Sequence, residues 1–147
     1  MSRPAKPARV SYYVDADLLG LAKILVQVRP DVTYPGDPGG VTRNKRARPP
    51  CTIKEPSTLD EVWIPETARQ GWLIITRDRH IRDHRAEIEA VRVHGARMIN
   101  LGGDEAVTPF AQLEVIMSQW RRIEGLMARN GPFIYLVTRT VMRELPL

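Results

Sequence analysis

The sequence predicts an α/β domain with a mainly parallel central sheet flanked by helices, and three observations carry that prediction. Short β-rich runs alternate with helical stretches along the chain, no internal repeat interrupts them, and 147 residues at 43% hydrophobic suffice for one buried core. Parallel strands need a crossover connection, so strand–helix alternation argues for parallel pairing with helices on both faces.

Residues 10–14, Val-Ser-Tyr-Tyr-Val, read as a buried strand ending at Asp15. Leu18, Leu19, Leu21, Ala22, Leu25 and Val26 then form a broad apolar helix face, with Asp17 as the expected N-cap and Pro30 as the stop. Residues 31–34 predict a weaker strand. Residues 35–56 are rich in Pro and Gly and carry the basic cluster Arg43, Lys45, Arg46 and Arg48, which predicts a long basic loop. That loop is either a solvated face or an arm that contacts phosphates.

Ser57 and Thr58 open the next helix, Gly71 closes it, and a capping box with Thr58 is the alternative to a site role for Glu61. Pro65 within it predicts a kink or an early end. Residues 72–76 form the clearest strand, followed by a helix over 83–94 ending at Gly95 and a strand over 97–101. Thr108 caps a long helix with Pro109 as its first residue. Its expected core stripe is Phe110, Leu113, Ile116, Met117, Trp120, Ile123 and Met127, and Asn130-Gly131-Pro132 ends it. A last strand spans 133–137. The domain is therefore expected over 10–138, with a flexible segment at 1–9 and a tail at 139–147.

No apolar run approaches the roughly 18–20 residues of a membrane helix, and the first residues show no apolar stretch of a secretory signal. A cytoplasmic protein without membrane contact is the expectation. The single cysteine, Cys51, excludes an internal disulfide and a cysteine-cluster metal site, and it reads as a small structural residue. The net charge of +5 is carried by 18 arginines against 4 lysines, a balance compatible with a nucleic-acid partner.

Three acidic groups fall where a parallel sheet presents ligands. Asp15 and Asp78 each follow a strand at its carboxyl end, and Asp60 and Glu61 lie in the first turn of the helix feeding the second of these strands. Asp17 and Asp83 stand close by in sequence. Carboxylates gathered at one point repel, and a divalent cation is the simplest compensation. Oxygen ligands suit Mg²⁺ or Mn²⁺, whose chemistry is that of phosphodiester hydrolysis. His80 and His84 share an i, i+4 spacing that can bind zinc, but no glutamate lies between them and no third ligand is evident. His94 before Gly95 reads as a helix C-terminal residue.

The stretch Tyr12-Tyr13-Val14-Asp15, then Asp60-Glu61-Val62-Trp63 running to Gly71-Trp72 and Thr76-Arg77-Asp78, resembles a PIN-like domain over about residues 10–101. This is the fold of many metal-dependent ribonucleases and of the toxins of VapBC-type toxin–antitoxin pairs. The resemblance implies a Mg²⁺- or Mn²⁺-dependent endoribonuclease acting on RNA, with a cognate antitoxin and a homodimer as implied partners. It assigns Asp15, Asp78 and Asp60 or Glu61 to the acid site, with Thr76 steadying it. Relatives often carry an acid where this chain has His80, and Asp83 is the expected replacement among the metal ligands. Arg77, Arg79, Arg82 and the basic loop are the expected RNA contacts. Two alternatives stand beside it: a catalytically weak PIN-like nucleic-acid-binding module, and a haloacid-dehalogenase-like phosphatase with Asp15 as nucleophile. The phosphatase lacks the late lysine and acidic pair it requires.

Overall fold

The computed structural model describes residues 4–42 and 46–147. In chain order the elements are β1 (Lys6–Pro7), β2 (Tyr12–Val14), α1 (Leu19–Val28), β3 (Val32–Thr33), β4 (Gly40–Val41) and β5 (Arg46–Arg48). There follow α2 (Asp60–Gln70), β6 (Leu73–Thr76), α3 (Arg85–His94), β7 (Arg97–Asn100), α4 (Pro109–Gly125), β8 (Phe133–Val137) and β9 (Met142–Leu145). The main sheet has six strands in the order β3-β2-β6-β7-β8-β9, parallel throughout except for the β8–β9 pair. This is the α/β architecture expected from the alternation.

The pleat sorts the core into two layers, because successive side chains of a strand point to opposite faces. Val14, Ile75, Ile99 and Phe133 pack with Leu21, Leu25, Ile116 and Ile123 of α1 and α4. Tyr13, Ile74, Met98 and Ile134 pack with Trp63 and Ile64 of α2 and Val91 of α3 on the other face. No helix among the described residues is long and apolar enough to cross a membrane.

Several expectations need correction. Residues 139–147 are not a tail, since β9 pairs with β8 through Ile134–Leu145 to Val137–Met142. The segment expected to be flexible contributes β1, which pairs in parallel with β5, and β4 joins the same small sheet. The loop over 35–56 is therefore partly ordered, and Cys51 within it is buried, its thiol pushed up by that burial. On α4, Phe110 and Met117 are exposed, whereas Gln112 and Gln119 are buried. The glutamines tolerate this because their amides donate to backbone carbonyls, Gln112 to Ala106 at 3.1 Å and Gln119 to Thr138 at 2.9 Å.

The capping expectations also shift. Asp15, not Asp17, caps the short 3-10 turn Ala16–Leu18 that precedes α1, accepting from the Ala16 N–H at 2.6 Å. Thr58 forms no capping box with Glu61, because its hydroxyl donates to the Glu55 carbonyl. Pro65 neither ends nor divides α2, which continues to Gln70. Gly71 does close that helix, in the left-handed conformation at φ 75° that favours glycine.

Candidate metal and nucleic-acid site

The carboxyl edge of the sheet is assembled by pairing between β2 and β6. The Asp15 N–H donates to the Ile75 carbonyl at 2.9 Å, which locks the end of β2 beside the end of β6. The buried Thr76 hydroxyl then lies 3.1 Å from Asp15 Oδ2 and 3.3 Å from Asp17 Oδ2. A single hydroxyl proton is shared between two carboxylates, so they are held together more firmly than they are neutralised. The Arg77 N–H also donates to Asp17.

Asp60 reaches the same edge from the helix side. Trp63, one turn further along α2, donates from Nε1 to Asp60 Oδ1 at 2.9 Å. Its ring is stacked on Tyr13 at 5.5 Å, and Trp72 stacks on the same tyrosine at 5.9 Å. The two tryptophans of the Asp-Glu-x-Trp and Gly-Trp stretches thus clamp the strand that carries Asp15 and aim the acid of α2. Asp60, rather than Glu61, is the member of that pair whose charge bears on Asp15 and on Glu87. Glu61 is exposed on the rim with Asp60 and Glu87 along one cleft.

Asp78 is held by a buried asparagine. Its N–H donates to Asn100 Oδ1 and its carbonyl accepts from Asn100 Nδ2, both at 2.8 Å, so the Asn100 side chain spans the backbone of one residue. Asp78 Oδ1 accepts from the His80 N–H at 2.9 Å, and Oδ2 contacts His84 Nδ1. The Asn100→Ala variant leaves two backbone groups of Asp78 without partners, and a loss of about 2–4 kcal/mol in urea denaturation is the expected outcome.

Asp83 lines the cleft beside Asp78 but is not one of the three residues whose ligand atoms cluster there. It stands exposed on the 3-10 turn Ile81–Asp83, and the acid that reaches Asp78 is Glu87 from the first turn of α3. Ligand atoms of Asp78, His84 and Glu87 all lie within 4.8 Å of one another. Glu87 and Asn100 escape a reading of the sequence because Glu87 lies within a helix and Asn100, though it ends β7, carries no charge to mark it. The i, i+3 spacing of His84 and Glu87 is the one signal that points to Glu87.

The electrostatics are those of crowded acids. Loss of hydration raises Asp15 above the ordinary aspartate range, Asp60 adding to the effect, and the Ala16 and Thr76 hydrogen bonds offset only part of it. Asp17 is pushed up to about 7, first by the protein around its carboxyl and then by Asp15. Glu87 is pushed up to about 8 by burial and then by Asp60, Asp78, Asp15 and Asp17.

These shifts have a sign for stability. The folded chain binds more protons than the unfolded chain over the interval between the shifted and ordinary values. The contribution is fully present below about pH 4, the unfolded range for carboxyls, and is lost as the pH rises through the folded values near 7 and 8. In EDTA, the melting temperature should therefore fall between pH 5 and 8.5. Glu87→Gln should flatten that slope, which a pH series of thermal melts reads directly.

The donor set fits a divalent cation. Asp15, Asp60, Asp78 and Glu87 bring carboxylates, loss of hydration first and neighbouring acids second raise Asp15 and Glu87, and the Glu87 side chain is only 10% exposed with no hydrogen bond among the described residues. A divalent cation would supply compensation for these charges.

The basic residues divide. Arg79 and Arg82 are exposed, and Arg79 pairs with Asp104 at 2.9 Å. Both line a cleft of about 390 Å³ beside Asp78 that also takes in Arg143. Arg77 turns back to the Gly103 carbonyl at 3.2 Å. Arg46 is exposed, but Arg48 is not free to meet a substrate, since its guanidinium is buried against Asp37. Arg43 and Lys45 lie outside the described residues.

Comparison with known proteins adds one match. No curated protein and no solved structure matches the chain significantly. A family model described as a PIN like domain matches residues 42–103, a span that holds Asp60, Thr76, Asp78, Glu87 and Asn100. PIN-like domains are generally nucleases that typically use divalent metal ions. With the observed sheet order, the match supports a PIN-like domain over this part of the chain.

Proposed function

We propose that this protein is a metal-dependent endoribonuclease, and that it is the toxin component of a type II toxin–antitoxin pair. The observation that carries the nuclease reading is the crowding of acids at the carboxyl edge of a parallel sheet: Asp78, His84 and Glu87 offer ligand atoms within 4.8 Å of one another, and the charges of Asp15 and Asp60 bear on Glu87. The toxin assignment rests on the resemblance alone.

Asp15, Asp60, Asp78 and Glu87 would hold Mg²⁺ or Mn²⁺, with Thr76 and Asp17 in support. When bound, the ion supplies Lewis acidity at a phosphoryl oxygen and an acidified water. The chain's own contribution is position. Thr76 and the Asp15–Ile75 hydrogen bond fix one carboxylate, Trp63 aims a second, and Asn100 fixes the backbone of a third. Arg79 and Arg82 flank this edge and would contact the RNA backbone. Asp83 is left without a metal role in this arrangement, and Glu61 is left at the rim.

The test is cleavage of a mixed structured RNA pool with Mg²⁺, Mn²⁺ or EDTA, comparing the parent with Asp78→Asn. Metal-dependent cutting that disappears in the variant supports the nuclease. Equal cutting by both refers the activity to another site or to a contaminant, and RNA binding without cutting under any metal favours the binding module. An antitoxin should inhibit by covering the acid edge, so co-expression of a neighbouring small protein that restores growth tests the toxin role.

A further inference from the structure

Three side chains at this edge do not follow an all-oxygen plan. His84 Nδ1 contacts Asp78 Oδ2 and lies 4.0 Å from Glu87 Oε2. The imidazole is half exposed while the two carboxylates are 16% and 10% exposed, so the ring closes an acidic recess from the solvent side. The turn Ile81–Asp83 brings it there, and α3 begins immediately after it.

We propose that His84 is a direct ligand, and that Asp78, His84 and Glu87 form a mixed nitrogen–oxygen position selecting a first-row transition cation over Mg²⁺. The proposal rests on the reading of this edge as a metal-dependent site and adds the class of cation it takes. Two independent observations support it. Ligand atoms of the three residues lie within 4.8 Å of one another, and cations with bonds of about 2.1 Å hold neighbouring ligand atoms roughly 3–4 Å apart. In addition, the Glu87 side chain is only 10% exposed and makes no hydrogen bond among the described residues, its one charged neighbour within 4.0 Å being the His84 imidazole, so two carboxylates and one ring nitrogen face the same recess.

The selectivity follows from ligand chemistry. Mg²⁺ prefers oxygen donors and gives up its waters reluctantly, whereas imidazole suits transition ions. Two carboxylates and one imidazole also leave positions open for water or substrate. A histidine that merely propped up Asp78 would act differently, since its loss would weaken every divalent ion to a similar degree.

The experiment uses the full chain stripped with EDTA and loaded with Mn²⁺ alone. Pulsed electron paramagnetic resonance detects nitrogen bound to Mn²⁺, and the three histidines, His80, His84 and His94, permit assignment by single replacement. The expected result is coupling to one imidazole nitrogen that survives His80→Ala and His94→Ala and vanishes in His84→Ala. Calorimetric titration should show His84→Ala weakening Mn²⁺ about ten-fold or more, with Mg²⁺ changed less than about two-fold. His84→Asp, which restores an oxygen donor, should bind both ions with the Mn²⁺ preference reduced.

Absence of nitrogen coupling in the parent, its persistence in His84→Ala, or equal weakening of both ions overturns the proposal. Failure to bind Mn²⁺ at all overturns it as well. Metal-dependent RNA cleavage by a parent lacking nitrogen coupling would leave the nuclease standing without the histidine ligand. Nitrogen-coupled Mn²⁺ in a protein that cuts no RNA would leave the mixed site standing without the nuclease.

Discussion

Asp15→Asn should reduce RNA cleavage by about a hundred-fold or more and, in EDTA at neutral pH, raise the melting temperature by a few degrees. The two effects have one origin. Asparagine keeps a side-chain oxygen for the Ala16 N–H, so the cap on the 3-10 turn survives. It also keeps the size and shape of the aspartate between β2 and Thr76. What it removes is a charge that the surrounding protein deprives of water and that Asp60 repels. The upward shift of Asp15 says that these costs exceed the gain from its hydrogen bonds. A cation reverses the balance, so saturating Mn²⁺ should stabilise the parent more than the variant. Cleavage retained by Asp15→Asn would remove this residue from the site, and a lower melting temperature in EDTA would mean that the charged cap outweighs the loss of hydration.

Arg48→Met should cost about 3–5 kcal/mol in urea denaturation, the largest stability effect expected from a single surface-segment change here. Asp37 is completely buried at its side chain and Arg48 is 7% exposed, so the replacement strands a charge with no route to water. Thr33 and the Gly39 N–H still donate to Asp37, at 2.9 and 2.8 Å, but neither carries a full positive charge. The double replacement Asp37→Asn with Arg48→Met should recover part of the loss, because it removes both charges. A single-variant cost below about 1 kcal/mol would show that Asp37 is rehydrated by local opening of residues 35–56, which hydrogen exchange would detect. The same ion pair joins the end of β5 to the turn after β3.

The parts of the fold legible in the sequence are those dominated by one strong local pattern. Leu73–Thr76 and Phe133–Val137 are short apolar runs bounded by turn residues, and Thr108-Pro109 marks a helix start. What escaped was decided by tertiary partners. Gln112 and Gln119 are polar by type yet buried, since distant carbonyls satisfy them, and Phe110 and Met117 share their helix but face outward. β9 is hidden for a similar reason: Met142–Leu145 becomes a strand only because β8 offers it an open edge. The place of Asp15 and Asp78 at one edge of the sheet could be read directly, because a parallel sheet presents the residues after its strands there. Asp60 differs from Glu61 in accepting from the Trp63 indole, a contact that the spacing of the two acids does not show. His84 was read only as a partner for His80, and Glu87 was not singled out, because their approach to Asp78 depends on how the turn Ile81–Asp83 hands over to α3.

The outer strands bear on self-association. β9 occupies the flank that β8 would otherwise present, and its exposed Arg143 and Glu144 set opposite charges along the new rim. At the far rim, β3 is only two residues long. Neither border offers the long, flat, uncharged template on which another chain can add a strand, so growth of the sheet from molecule to molecule is disfavoured from both directions. The protein should accordingly resist fibrillar aggregation at concentrations where proteins with long open strands begin to polymerise.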